Sequence, residues 1–301
     1  MSITRPHVLD SDRIRLGCRR LAAWLLLALI SFAAVSASAQ ALAVVTNLKG
    51  GVSRAAERGS SPVALLSELA QGADLTLDRG ALLSLVYLAS GIEFQLTGPA
   101  RVSIGPTEPK TLSGSAPVAR TSVVAAATVK LQTLNGRVVL GGMVMRGVRQ
   151  ERLKLIEPTG KVLSARPVFS WTMPDGPAAV QFVLREEASD RILVSRQVQG
   201  SSLALEDSMT LQAGVNYLWT VELGLPDAGR VIRSSYFSLA GEPERERMIA
   251  LQPGAQSAFS DRLIYASLLE QARFVSESRK WWQQLALERP DLVELRSLGS
   301  P

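Results

Sequence analysis

Chemistry in this chain would have to be done with carboxylates, lysines or Ser–Lys pairs. Histidine occurs once, as His7, and cysteine once, as Cys18, in 301 residues. If the segment holding both is removed on export, no imidazole and no thiol remains. Zinc sites of the usual kinds, haem and iron–sulfur ligation by His or Cys, thiol catalysis and His-dependent triads are then excluded. None of the lysines (Lys49, Lys110, Lys130, Lys154, Lys161, Lys280) has a serine three residues before it, so the S-x-x-K arrangement is missing. No G-x-S-x-G, phosphate loop or EF-hand loop is present. Glycoside hydrolysis needs two carboxylates flanking one bond, and Glu186-Glu187 is the densest acidic pair beyond residue 150. Adjacent strand residues point to opposite faces, so this pair reads as an exposed strand end. The expectation is a non-enzyme with no cofactor and no metal.

Aromatic residues invite a second chemistry, stacking on sugars. Trp171 and Trp219 would need solvent-facing rings for that, whereas a tryptophan in such a strand fills the space between two sheets. Trp281-Trp282 lies in a helical pattern, where neighbours are 100° apart. Trp281 continues the stripe Phe274, Ser278, Leu285 and is assigned to the core. Trp282 is left at the edge of the stripe as the candidate docking residue.

The elements that must position these residues begin with an address. Arg13, Arg15, Arg19 and Arg20 precede an apolar run from Leu21 to Val35, and small residues end in Ala37-Ser38-Ala39. A basic start, an apolar run and an A-x-A ending form a secretory signal peptide over residues 1–39, cleaved between Ala39 and Gln40. If uncleaved, residues 21–39 would serve as an inner-membrane anchor. The arginines stay in the cytoplasm in either case, and residue 40 onward is expected in the periplasm.

Loss of residues 1–39 would take five arginines and two aspartates, leaving 28 basic and 25 acidic residues. A nucleic-acid binder concentrates far more positive charge on one face. The charge balance therefore speaks against nucleic acid, and the membrane enters only through the export segment.

From residue 40 to 147 the pattern is β. Leu83, Leu85, Tyr87 and Ile92, Phe94, Leu96 alternate around Ser90-Gly91, a hairpin with one apolar face. Gly105 to Pro117 reads as a loop. Residues 129–134 and 137–140 form a second hairpin on Asn135-Gly136, and Ala125–Ala127 could begin a short helix. The pattern Leu69-x-x-Gly72-x-x-Leu75, Gly80-Ala81-Leu82-Leu83-x-Leu85, Ser90-Gly91-Ile92-x-Phe94-x-Leu96 resembles the FecR-like periplasmic domain. Thr133 to Val144 resembles that family's second block, departing from it at Gly142 and at Met143–Met145. The resemblance implies periplasmic interaction in signalling or envelope assembly. The roughly twenty residues before the apolar run are too few for the folded cytoplasmic region of FecR-type regulators, so direct transmembrane signalling is not expected.

Residues 151–240 carry short alternating strands at regular spacing, the pattern of an antiparallel β-sandwich. Pro167-x-Phe169-x-Trp171 and Gly214-x-x-Tyr217-x-Trp219-x-Val221 resemble immunoglobulin- or fibronectin-III-like modules. Gly241-Glu242-Pro243 is a hinge, after which residues 243–298 turn helical, with Pro243 suited to a first helical position. Ser260-Asp261 could cap a helix carrying Ile264, Leu268, Ala272 and Val275, and a second helix ends before Pro290-Asp291. The pair resembles one tetratricopeptide-type hairpin. A single hairpin cannot bury both its faces, so it must pack on the sandwich, a partner or another copy.

The fold class expected is thus mainly β: a FecR-like domain, a sandwich and a helical hairpin. The function expected is an exported, non-enzymatic binding or scaffolding protein of the cell envelope with a protein partner. The alternative is a glycan-binding module for peptidoglycan or exopolysaccharide, and behind it a carboxylate-only hydrolase.

Overall fold

The computed structural model describes residues 41–56, 59–122, 124, 153–173, 179–225, 229–254 and 256–300. The export segment with Ala39 and Gln40, the helix expected at Ala125–Ala127, the Asn135-Gly136 hairpin and the block from Thr133 to Val144 lie outside the described residues. The chain is mainly β, with sheets that are antiparallel except for one parallel pairing, Gly160–Val162 with the strand that ends at Leu239, and with a helical C-terminal region.

Among the described residues ten strands come first: β1 (Ala41–Lys49), β2 (Val52–Ala56), β3 (Gly59–Pro62), β4 (Glu68–Ala70), β5 (Asp74–Leu77), β6 (Leu82–Tyr87), β7 (Ile92–Thr97), β8 (Ala100–Ile104), β9 (Pro109–Ser113) and β10 (Val118–Thr121). They form two five-stranded sheets, ordered β10-β7-β6-β1-β4 and β3-β2-β5-β8-β9. Val45, Leu85 and Phe94 from one sheet and Val52, Leu75 and Val102 from the other share a single buried core. The alternation of β6 and β7 sets their register, Leu83 opposite Leu96 and Leu85 opposite Phe94. Gly91 closes that hairpin at φ +68, a left-handed conformation that favours glycine.

Two expectations change here. The stretch 105–117 is not all loop, because β9 pairs with β8 across a bulge. Pro109 opens that strand, a position proline tolerates. β6 and β7 also bury more than one face: Ser84, Val86 and Glu93 point away from the core and are buried all the same. Glu93 is covered by the C-terminal helices.

The second set comprises β11 (Lys154–Glu157), β12 (Gly160–Val162), β13 (Val168–Thr172), β14 (Ala179–Glu186), β15 (Ile192–Gln199), β16 (Ser202–Ala204), β17 (Asn216–Leu225) and β18 (Gly229–Leu239). A three-stranded sheet, β11-β13-β16, packs on a five-stranded one, β12-β18-β17-β14-β15. Phe169 stands at the centre of the core, edge-on to Phe182 at 4.9 Å, Trp219 at 5.3 Å and Phe237 at 5.7 Å. Trp171 and Trp219 are buried, as expected of a tryptophan that fills the space between two sheets. The Trp219 indole N–H donates to the Pro158 carbonyl at 3.1 Å.

Among the described residues four helices follow: α1 (Glu242–Ala250), α2 (Phe259–Gln271), α3 (Val275–Glu288) and α4 (Val293–Leu298). Pro243 sits in the first turn of α1, and Glu242 and Glu244 lie where they complement the helix dipole. Among the described residues no helix is long and apolar enough to cross a membrane.

Candidate functional site

The residue singled out for docking, Trp282, is not available for it. Trp282 is 1% exposed and its indole N–H donates to Glu270 Oε2 at 3.0 Å. Besides Ser276, the buried positions of α3 run Ser278, Trp282, Leu285, continuing from Phe274 at spacings of four, four and three. Trp282 is the more deeply buried of the two, and Trp281 also packs against the helical clusters. Both tryptophans fit a helical stripe, and the choice between them depends on what lies on either side of the helix. Trp282 enters a cluster with Leu65, Leu263, Ala266 and Leu292. Trp281, half-buried, rests edge-on against Tyr265 at 5.3 Å.

Ser260 and Asp261 also have a different task from the one their types suggested. Ala258 is the N-cap of α2 and makes no side-chain cap bond. Ser260 and Asp261 fall inside the first turn, and both are buried. Their side chains reach across to the first sandwich instead. Arg120 of β10 stands directly opposite Glu93 of β7 and forms an ion pair with it. Its other guanidinium nitrogen donates to Asp261 Oδ2 at 2.9 Å. Ser260 Oγ donates to Glu93 Oε2 at 2.9 Å, and Ser122 Oγ donates to Asp261 Oδ1 at 2.5 Å. Desolvation works against the Arg120 charge, but the bond to Asp261 and the Glu93 carboxylate outweigh it and raise the Arg120 pKa. One cation thus joins two carboxylates on two elements, and the buried polar atoms of the cluster are partnered.

A second anchor lies at the far end of α3. Arg289 donates to Asn47 Oδ1 at 2.5 Å and to the Leu48 carbonyl at 2.6 Å. It also forms a fork on Asp291. Asp291 therefore does more than terminate a helix: it fixes the arginine that holds β1.

The opposite side of the helical region grips the second sandwich through β12. The Lys161 N–H donates to the Arg273 carbonyl at 2.9 Å, and the Thr159 N–H to Ser276 Oγ at 3.2 Å. The Leu163 N–H donates to Glu277 Oε1 at 2.8 Å. Lys161 pairs with Glu244 at 2.7 Å, and Lys280 with Glu157 at 2.9 Å. Gly160 makes the approach possible. A Cβ there would lie 2.7 Å from the Arg273 carbonyl oxygen, and its φ is +68. Burial raises the Glu277 pKa, and its Oε2 has no hydrogen-bond partner among the described residues.

These groups are arranged for holding. Glu186 is tied to Arg191 and Ser189, and those bonds lower its pKa, opposite to the shift a general acid needs. Burial pushes the phenols of Tyr87 and Tyr265 up to about 12, so both stay protonated. Tyr87 donates to the Gly105 carbonyl and Tyr265 to the Met248 carbonyl. Among the described residues no group of three or more His, Cys, Asp or Glu is placed to hold a metal ion. Sequence reasoning missed Arg120, Arg289, Gly160 and Glu277 as joint residues. The available signals were polar types on strand and helix positions where solvent exposure was expected. A scan of protein-family models and a search of curated proteins find no match to this chain.

Proposed function

We propose that this chain is an exported, non-enzymatic binding or scaffolding protein of the bacterial cell envelope, working through protein–protein contacts. The observation that carries this reading is where the chain puts its paired polar groups, from the buried Glu93, Ser260 and Asp261 to the partly exposed Arg120. Glu93, Arg120, Ser260, Asp261, Glu277 and Arg289 serve to fasten two sandwiches to one set of helices. A body fastened in this way presents its outer sheet surfaces in a fixed relation, which suits a scaffold. The glycan alternative loses the rings that motivated it, since Trp171 is 1% and Trp219 0% exposed. The FecR-like and immunoglobulin-like resemblances point the same way, toward envelope interaction, and the A-x-A ending at Ala39 supports periplasmic delivery.

The test is fractionation followed by cross-linking in intact cells. The expected result is a mature protein beginning at Gln40, released with the periplasm and joined to an envelope protein in constant ratio. Unprocessed protein in the cytosol would overturn the address. A correctly exported protein with no reproducible cross-linked partner would overturn the scaffold.

A further inference from the structure

Every open sheet ends in strands whose outward N–H and C=O groups invite another strand. This chain blunts nearly all such edges among its described residues. β4 and β16 are three residues long. β11 has four residues and a bulge between Leu155 and Glu157. β3 ends in Pro62, and β9 starts at Pro109 and is bulged. β10 is four residues long, with Arg120 drawn into the helical joint. β12 lies under the helices, its Lys161 N–H donated to Arg273.

β15 is the exception. It carries a bulge of its own at Leu193, but beyond it residues 194–199 run without Pro, Gly or Lys, and among the described residues the strand pairs with β14 alone. Ser195 and Gln197 stand opposite Val183 and Gln181, and with Gln199 they face solvent and are exposed. Val194, Arg196 and Val198 face the core side. The Arg196 guanidinium is held at the rim by Glu206 at 3.1 Å and the Ala204 carbonyl at 3.4 Å.

We propose that β15 is a two-fold interface at which two copies of this chain join edge to edge, antiparallel and centred on Gln197. Side-chain parity admits only registers that set outward residues opposite outward ones. The register slip between Ile192 and Val194 confines the ladder to Val194–Gln199. A register centred on Arg196 would place two guanidinium groups opposite each other, which is destabilising. Centring on Gln197 gives the longest ladder free of that clash. Gln197 then meets Gln197 of the second copy, Ser195 meets Gln199, and Arg196 lies along Val198. The outward row is self-complementary, because each glutamine amide both donates and accepts. Ser195 Oγ already accepts from Gln181 Nε2 at 3.0 Å, leaving its hydroxyl hydrogen for Gln199 of the other copy. The interface is small against the ~1,200 Å² of a stable complex, so the dimer is concentration-dependent. This assignment does not rest on the envelope address, and its failure leaves partner binding standing.

Sedimentation equilibrium of the purified protein from about 1 µM to 1 mM, the range in which weak interfaces titrate, reads the assembly directly. The wild type should rise from monomer to dimer. Gln197→Lys and Gln197→Glu, alone, should each weaken the dimer at least about tenfold, because like charges meet across the two-fold axis. Mixing the two variants should restore it. Both variants alter an exposed side chain and should keep the wild-type melting temperature. A wild type monomeric throughout overturns the proposal, as does a dimer indifferent to both substitutions. A mixture no stronger than either variant overturns the register.

Discussion

Gly160→Ala against Gly214→Ala separates close approach from backbone conformation. The two glycines have nearly the same φ, +68 and +75, so an alanine at either meets the same left-handed cost of about 1–2 kcal/mol. Around Gly214 a new Cβ finds nothing within 4 Å, whereas at Gly160 it lies 2.7 Å from the Arg273 carbonyl oxygen. That oxygen belongs to the backbone of the turn between α2 and α3 and accepts the Lys161 N–H at 2.9 Å. Relief requires the turn to retreat by several tenths of an ångström and weakens that bond. Leaving a partly buried donor and acceptor poorly matched adds about 1–3 kcal/mol. Gly160→Ala should therefore cost about 2–5 kcal/mol and Gly214→Ala about 1–2 kcal/mol. Urea denaturation followed by tryptophan emission covers both regions, with Trp171 and Trp219 in the sandwich and Trp281 and Trp282 in the helices. If the two variants agree within about 0.5 kcal/mol, the joint between β12 and the helical turn is not a tight contact and the reasoning fails.

Three further outcomes follow from the joint. Asp261→Ala removes one partner from Arg120 and one from Ser122, and should cost about 1.5–3 kcal/mol in urea, a range held down by the 41% exposure of the Arg120 side chain; an unchanged midpoint would refute the anchor. Trp282→Ala should cost about 3–5 kcal/mol with no partner present, as removal of a buried indole does, whereas a docking residue would lose binding and keep stability. Glu277 has its pKa raised by burial, so between the unfolded and folded values the folded protein holds more protons and stability falls as pH rises. From pH 7 down to about 4, the wild type should therefore gain on Glu277→Gln in denaturation midpoint, and parallel profiles would contradict the burial.

The β modules were legible because strand periodicity is local. Leu83, Leu85, Phe94 and Leu96 declare their face in the sequence, and the Ser90-Gly91 turn sets their pairing. Phe169, Trp171, Tyr217 and Trp219 gave the second core by the same parity. Strand β9 stayed hidden because Pro, Gly, Ser and Thr dominate its surroundings, and its pairing with β8 is a tertiary fact. The Glu186-Glu187 pair was readable only in part: Glu187 is exposed at the strand end, whereas the Glu186 side chain is held in by Arg191 and Ser189.

The helical joint was illegible for the same physical reason. A helix with one wet face announces its stripe, but α2 is buried on two sides. Leu263 and Ala266 enter one cluster, while Tyr265, Leu268 and Leu269 enter another. With so wide a buried arc, the spacing Ile264, Leu268, Ala272, Val275 no longer identifies the inward face, and α2 in fact ends at Gln271. Ser260 and Asp261 carried the chemistry of a cap, and only the position of Arg120 and Glu93 turns them into a lock. Residues that could do local work were used for long-range work. In such a chain, polar side chains that look like solvent-facing decoration are the ones to test as joints.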